Sequence, residues 1–419
     1  MNIVPCHEAP RSLSDIDRDF AESHRVLRCQ EMSVAFERRD AELFASHSRV
    51  CPRCGERLLS KGLSEPLAFV CLAGRFAARI HRLCCAVCDA TVYPIDAELD
   101  RATRVLPSAA EHLVRFAVQA GGYEKGSAEA AFHLGVSVSS STLHRLVAHE
   151  AAYVEDGLAA ETELMLETGV CPEERVALKD SDTLYLAVDG GHVAGRDKKS
   201  FEVKAAVAWT GVAEVSEGRR RLTGREGYAS VEGVKSFFPK VAALAIRNGM
   251  LTAGRVVVLA DGADWIRNGV RDWLPGALYV LDWTHLERRV RGVLCRPEDA
   301  ELAQAVLDAC RRAEPAEALV LLMGHKPSPE PEVRHLYRRL VRYVRINASG
   351  IANHALVDVH GSGAIEKGVD LMISRRFKLR GMSWSEKGAA ALLPFKVMLY
   401  NDNWSTHWDR RVESLPSAA

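Results

Sequence analysis

The sequence has no apolar run of membrane-spanning length, which excludes a transmembrane helix. Its first residues, MNIVPCHEAPRSLSDID, turn polar and acidic too early for a secretory leader. Neither charge is in excess, with 55 basic and 55 acidic residues, so any basic surface for nucleic acid must be local. A disulfide framework is also lacking. Of eleven cysteines, four form two CxxC pairs, which in a cytosolic chain points to a metal. The expectation is a cytoplasmic protein with no membrane partner. What is present, 47% hydrophobic and 26% charged residues over 419 positions, fits a soluble globular chain of two to four domains.

Residues 14–47 carry Phe20, Val26, Leu27, Val34, Phe36, Leu43 and Phe44 at roughly helical spacing, which predicts a helical arm over 1–48. No clean heptad persists, which favours a solvated helix packed on the next domain over a dimerisation arm. Next come CPRCG (Cys51, Cys54) and CAVC (Cys85, Cys88), flanking a β-rich stretch. Two such knuckles around a hairpin are the layout of a zinc ribbon, expected over 49–100, with a separation longer than usual. Four thiolates close a tetrahedral Zn²⁺ site with no open position, so its role is structural. The alternative is a set of buried free thiols. Cys71 and Cys84 read as packing residues.

Over 101–156 a short helix, a glycine turn and a second helix opened by serines match a helix-turn-helix. Ser140, Ser141, His144, Arg145 and His149 are its candidate DNA contacts. Few lysines or arginines lie there, and an ordinary helical hairpin is the competing reading. Residues 153–181, acidic and without strong periodicity, read as a domain boundary.

Beyond it, strands are expected at Leu184–Val188 and Phe201–Trp209, with a third around Arg220–Gly227. A helix over Val231–Asn248, a strand at Arg255–Ala260, another helix and a short strand ending at Asp282 follow. Three strands, helix, strand, helix, strand is the order of a ribonuclease-H-like α/β fold. That catalytic domain would comprise 180–285 and 350–408, interrupted by an all-helical insertion over 286–349. After the insertion, two helices broken at Gly381 are expected, and then a disordered tail.

Two apolar strands deliver Asp189 and Asp261, each followed by glycine, and Glu366 sits near a helix start behind Gly361–Gly363. Carboxylates suit hard ions such as Mg²⁺. Three of them converging could hold two ions about 4 Å apart, one activating the attacking water or 3′-hydroxyl and the other stabilising the leaving oxygen. Gly190, Gly191 and Gly262 would leave the floor open to a DNA backbone. A lone Asp-Gly is ordinarily just a turn. Its recurrence after two apolar strands favours the site reading. His285 opens a helix right after a strand and faces the same edge. It either contacts the scissile phosphate, orients a carboxylate, or is satisfied locally. Asp282 is either a helix cap or a supporting carboxylate.

The blocks VDGGHV, LADGADW, LDWTHLERRV and GSGAIEKGVDLMISRRFKLRGMSW resemble those of bacterial DDE transposases of the Mutator-related kind, in particular the Kra and Lre types of insertion sequence. Asp282-Trp283-Thr284-His285 resembles that group's Asp/Cys-x-x-His signature, and the cysteine knuckles before YPIDAELD look like its N-terminal part. The resemblance runs from about Cys51 to Trp404. It implies Asp189, Asp261 and Glu366 as the metal ligands, with Mg²⁺ or Mn²⁺. It implies cleavage at terminal inverted repeats and transfer of the 3′-ends into target DNA. It also implies a homo-oligomer acting on double-stranded DNA. The N-terminal region departs from that picture in not being notably basic.

Lys367, Arg375, Arg376, Lys378 and Arg380 would form a positive, phosphate-holding face around the Glu366 helix. Arg288, Arg289 and Arg291, and Arg338, Arg339, Arg342 and Arg345, make two further clusters; each alone is ordinarily a solvated helical face. Trp384 either stacks on a base or packs. A ribonuclease-H-fold nuclease without strand transfer and a domesticated DNA-binding regulator are the alternative functions.

Overall fold

A computed structural model of the chain describes residues 12–99, 101–171, 178–179, 182–217, 219–358 and 363–413. Two compact units divide it, one built from the chain up to Glu150 together with the segment from Trp404, the other from Ala151–Asn403. Among the described residues no helix is long and apolar enough to cross a membrane.

The first unit opens with α1 (Leu13–Ser46), started by a capping box in which Ser12 and Asp15 exchange hydrogen bonds. One face of α1 buries Phe36 and Leu43 against Phe69, Phe76, Ile80 and Ile95. Those residues come from the hairpin β2 (Leu67–Cys71) and β3 (Gly74–Ala78) and the turns beyond it. Around this hairpin, β1 (Leu58–Leu63), β4 (His81–Cys85) and β5 (Thr91–Val92) form a three-stranded antiparallel sheet, in the order β1-β4-β5. Then come α2 (Pro107–Gln119), α3 (Tyr123–Leu134) and α4 (Ser140–Thr168), whose residues from Ala151 on belong to the second unit. Gly135 (φ 64°) ends α3 in the left-handed region, and the Ser139 hydroxyl accepts from the Thr142 amide to start α4.

The acidic stretch after Tyr153, expected as a domain boundary, is helical as far as Thr168, and the two units divide just before it, after Glu150. Its weak apolar periodicity has a physical reason. Glu155 pairs with Lys240 (3.1 Å) and Glu161 with Arg247 (2.9 Å), so ion pairs hold part of the face that apolar residues usually hold.

The second unit is a mixed sheet covered on both faces. Its strands are β6 (Thr183–Ala194), β7 (Ser200–Trp209), β10 (Glu226–Ser230), β11 (Arg255–Ala260) and β12 (Leu278–Leu281), ordered β10-β7-β6-β11-β12. β7 is antiparallel to both neighbours, whereas β6, β11 and β12 are parallel. The third strand expected around Arg220–Gly227 is really two: its first part is β9 (Arg219–Thr223), which makes a separate hairpin with β8 (Gly211–Ser216), and its end opens β10. Gly224 (φ 57°) then turns the chain into β10. On one face Leu184, Leu186 and Val188 pack with α5 (Val234–Arg247) and α6 (Asp264–Trp273).

A helical segment with its own core follows β12: α7 (Trp283–Val293), α8 (Ala300–Arg311), α9 (Pro315–Gly324), α10 (Pro331–Ile346) and α11 (Ala348–Ala352). The chain returns as α12 (Gly363–Val369), a π turn over Asp370–Ser374, α13 (Arg375–Phe377) and α14 (Glu386–Tyr400). These cover the other face: a side chain added at Gly368 would meet Val207 of β7, and one at Gly227 would meet Tyr400. The last helix, α15 (Trp404–Glu413), belongs to the first unit, where the Trp404 indole donates to Glu111 (3.0 Å).

Candidate functional site

Register builds the site. β6 pairs with β11 through Val188↔Ala260, and β11 with β12 through Ala260↔Leu281. The next residue on each strand is therefore Asp189, Asp261 or Asp282, three carboxylates side by side on adjacent parallel strands spaced about 4.8 Å apart. β6 does not end at Asp189 as the sequence predicts. It continues against β7 to Ala194 because the antiparallel partner outlasts β11.

Each aspartate is held by local backbone. Asp189 Oδ1 accepts from the Gly190 amide (2.7 Å) and Asp261 Oδ1 from the Ala263 amide (2.8 Å). Asp282 caps α7, its Oδ1 accepting from the His285 amide (2.8 Å), while its own amide donates to Ala260 (2.8 Å). The other oxygen, Oδ2, is buried with no hydrogen-bond partner, on a residue 0% exposed. The cap and supporting-carboxylate readings of Asp282 thus occupy its two oxygens separately.

Burial is the main cause that raises the Asp189 carboxyl above its ordinary value of 3.8, with the negative charges of Asp261 and Asp282 adding to it. The Gly190 amide and His285 pull the other way. His285, half-buried, is thus brought to the aspartates. Glu366 is not among the groups acting most on Asp189. It is exposed on α12, which covers the sheet face toward which Gly191 points. Gly361 and Ser362, the expected approach to that helix, lie outside the described residues.

The glycines serve the protein rather than a DNA path. A side chain at Gly190 would collide with the Glu202 carboxylate, and one at Gly191 would be in ordinary contact with Lys378 and Val369. Gly262 sits at φ 89°, and its Cβ would fall 2.6 Å from the Tyr343 ring. Tyr343 is the residue that sequence reasoning missed. Its hydroxyl donates to the Asp261 carbonyl (2.7 Å), and Arg289 lies over its ring at 4.3 Å. Nothing local marks it, because α10 reaches Asp261 only through the fold.

The basic face is smaller than the sequence predicts. Arg376 is 2% exposed, against Trp384 (4.7 Å) and the Met382 sulfur, because its turn of helix faces inward; Trp384 itself packs on Phe377. Lys367 and Arg375 both reach Asp370, at 3.5 and 2.9 Å. Lys378 and Arg380 are exposed, with Lys378 beside Gly191. In the first unit Ser141, His144 and Arg145 are exposed on α4, Ser140 is half-buried, and His149 is bonded to Glu150 (3.2 Å).

The other cluster is sulfur. Cys51, Cys54, Cys85 and Cys88 place their Sγ atoms all within 4.8 Å of one another, with Cys51–Cys88 at 3.6 Å and Cys54–Cys85 at 3.4 Å. A tetrahedron with metal–sulfur bonds of about 2.3 Å has sulfur–sulfur edges of about 3.8 Å, so the set fits a metal such as zinc. The knuckle amides of Cys88 and Val87 draw the Cys85 thiol down to about 7, toward the thiolate a metal requires. Among the described residues it is the group of metal-ligating side chains that closes this tightly.

Residues 89–411, more than three quarters of the chain, match the model of an uncharacterised protein family, UPF0236. The chain belongs to this family. No curated protein matches it. The UPF0236 match takes in all three aspartates, His285 and Glu366 but begins after Cys88, so the cysteine cluster lies outside it.

Proposed function

We propose that this UPF0236 chain is a DNA transposase of an insertion sequence, binding terminal inverted repeats, cleaving at the transposon ends and joining the 3′-ends to target DNA. The observation that carries this is the row of Asp189, Asp261 and Asp282 on three adjacent parallel strands, with the buried Asp282 Oδ2 lacking a partner. Crowded anionic oxygens, one of them desolvated and unpaired, are what a divalent cation relieves. Asp189 and Asp261 would hold Mg²⁺ or Mn²⁺, Glu366 would complete the set from α12, and Asp282 and His285 would support it. The bound ions would supply activation of water or a 3′-hydroxyl and offset charge on the phosphorus. Carboxylates spanning two ions need not all touch one another, which accommodates the distance of Glu366.

The sheet supports a ribonuclease-H-like reading, since its elements come in the order expected from the sequence, three strands, helix, strand, helix, strand. The helical segment after β12 stands where the all-helical insertion is expected. On this reading Lys378 and Arg380 bind phosphates beside the site. Ser140, His144 and Arg145 read the ends from α4, and the four cysteines hold a structural Zn²⁺.

The deciding experiment incubates the full chain with Mg²⁺ and DNA carrying the inverted repeats that flank its gene. Cleaved ends joined to target support transposition. Nicks without joining make the protein a nuclease, and binding without cleavage makes it a regulator. Asp189→Ala and Asp261→Ala should each lower cleavage on the order of 10²–10³-fold while DNA binding persists. Unchanged rates in both, and in Glu366→Ala, would remove the site assignment.

A further inference from the structure

Helix α1 has two opposite faces. Cys29, Met32, Phe36 and Leu43 turn inward onto the β2–β3 hairpin and its surroundings. Half a turn away, Leu13, Ile16, Phe20, Leu27 and Val34 form a second apolar stripe left exposed among the described residues, from 49% exposed at Ile16 to 85% at Leu13. At 100° per residue these five fall within about 60° of one another. Scattered exposed apolar residues are ordinary, but a single line of five along a 34-residue helix is not.

We propose that this stripe is the seam of a parallel two-stranded coiled coil between α1 helices of two copies of the chain. Counting Leu13 as position a, the a positions are Leu13, Phe20, Leu27 and Val34, and the d positions are Ile16, Ser23, Gln30 and Glu37. The heptad is incomplete at d, which is why spacing alone favours a solvated helix. A second copy in parallel register stacks a on a and d on d, so from Leu13 to Val34 every apolar residue meets its own equivalent and Ser23 and Gln30 meet theirs; the seam ends there, since Glu37 accepts from the Arg79 amide (2.9 Å). An antiparallel copy stacks a on d, which sets Leu27 against Gln30 and Val34 against Ser23.

The flanking residues favour the same arrangement. In parallel register each g residue faces the e residue five positions on in the second copy. The facing pairs are Asp19 with His24, Val26 with Glu31 and Ser33 with Arg38, and none is like-charged. His24 is already positioned for this, stacked on Phe20 with ring centroids 4.3 Å apart. The seam lies opposite the face that packs on the hairpin, so pairing does not disturb that packing. This surface stands independently of the metal-site chemistry, and its failure would leave the transposase reading untouched.

The test is the mass of the full chain in solution by sedimentation equilibrium. Wild type should weigh two chains, and Phe20→Glu with Leu27→Glu should weigh one while keeping its helical circular dichroism. A control, Arg18→Glu with Arg28→Glu, changes charge off the seam and should remain a dimer. A wild-type monomer, or a dimer that survives the seam substitutions, overturns the proposal. Register is read from Phe20→Cys with a short bismaleimide: a 20-to-20 cross-link in peptide mapping supports the parallel seam. A cross-linked product only when Glu37→Cys is added makes the pair antiparallel and overturns it.

Discussion

The two candidate metal centres differ in how they are assembled. The cysteine cluster is local: four sulfurs on two knuckles beside one small sheet, close to tetrahedral dimensions. The aspartate row is non-local. Asp189, Asp261 and Asp282 are brought together by two strand pairings, and Glu366 stays exposed on α12. Soft ligands that fill every coordination position make a site for folding, whereas hard oxygens leave room for substrate.

The largest expected effect separates the two. Chelation of zinc, or Cys51→Ser, should melt the β1–β5 region, with a loss of several kcal/mol or more. It should leave the Ala151–Asn403 unit folded, read as one lost thermal transition and one retained. Loss of both transitions together would break the contrast. Next, Gly262→Ala should destabilise by about 2 kcal/mol, combining the left-handed backbone with the Tyr343 clash. Denaturant unfolding checks this, and a neutral result would deny that Tyr343 shapes the Asp261 turn.

Asp282→Asn keeps the cap on α7 and removes the buried charge. It should raise metal-free stability by about 1 kcal/mol and shrink the thermal shift on adding Mg²⁺. An undiminished shift would mean that Asp282 lies outside the cation's reach.

The Asp189 carboxyl tests the same crowding by pH. Its folded value is raised above 3.8, so the folded state holds the proton longer than the unfolded chain does. That contribution is full below 3.8 and lost as pH rises through the folded value. Metal-free stability should therefore decline over that window, and Asp189→Asn should flatten the decline. The smallest effect is on DNA. Lys378→Ala and Arg380→Ala should each lower the salt slope of binding by about 0.9 with no change in thermal stability, whereas Arg376→Ala should destabilise.

Much of this was legible in the residues because it is short-range. The cysteine knuckles, the strands leading to Asp189 and Asp261, the break at Gly381 and the helices after Asp282 follow from spacing and periodicity. The failures share one cause. β6 continues past Asp189 because β7 runs alongside it. α4 persists through acidic sequence because Lys240 and Arg247 await it on α5. Arg376 is buried because its turn faces inward, which charge alone would not indicate.

The sequence by itself determined which ligands exist and which sit at strand ends, since residue type and period are local properties. Only the tertiary structure decided that Asp282 stands in the same row as Asp189 and Asp261 with one oxygen unpaired. It alone placed Tyr343 beneath Gly262 and left Glu366 exposed. Those facts depend on strand register and helix docking, and both are set by partners far away in the chain.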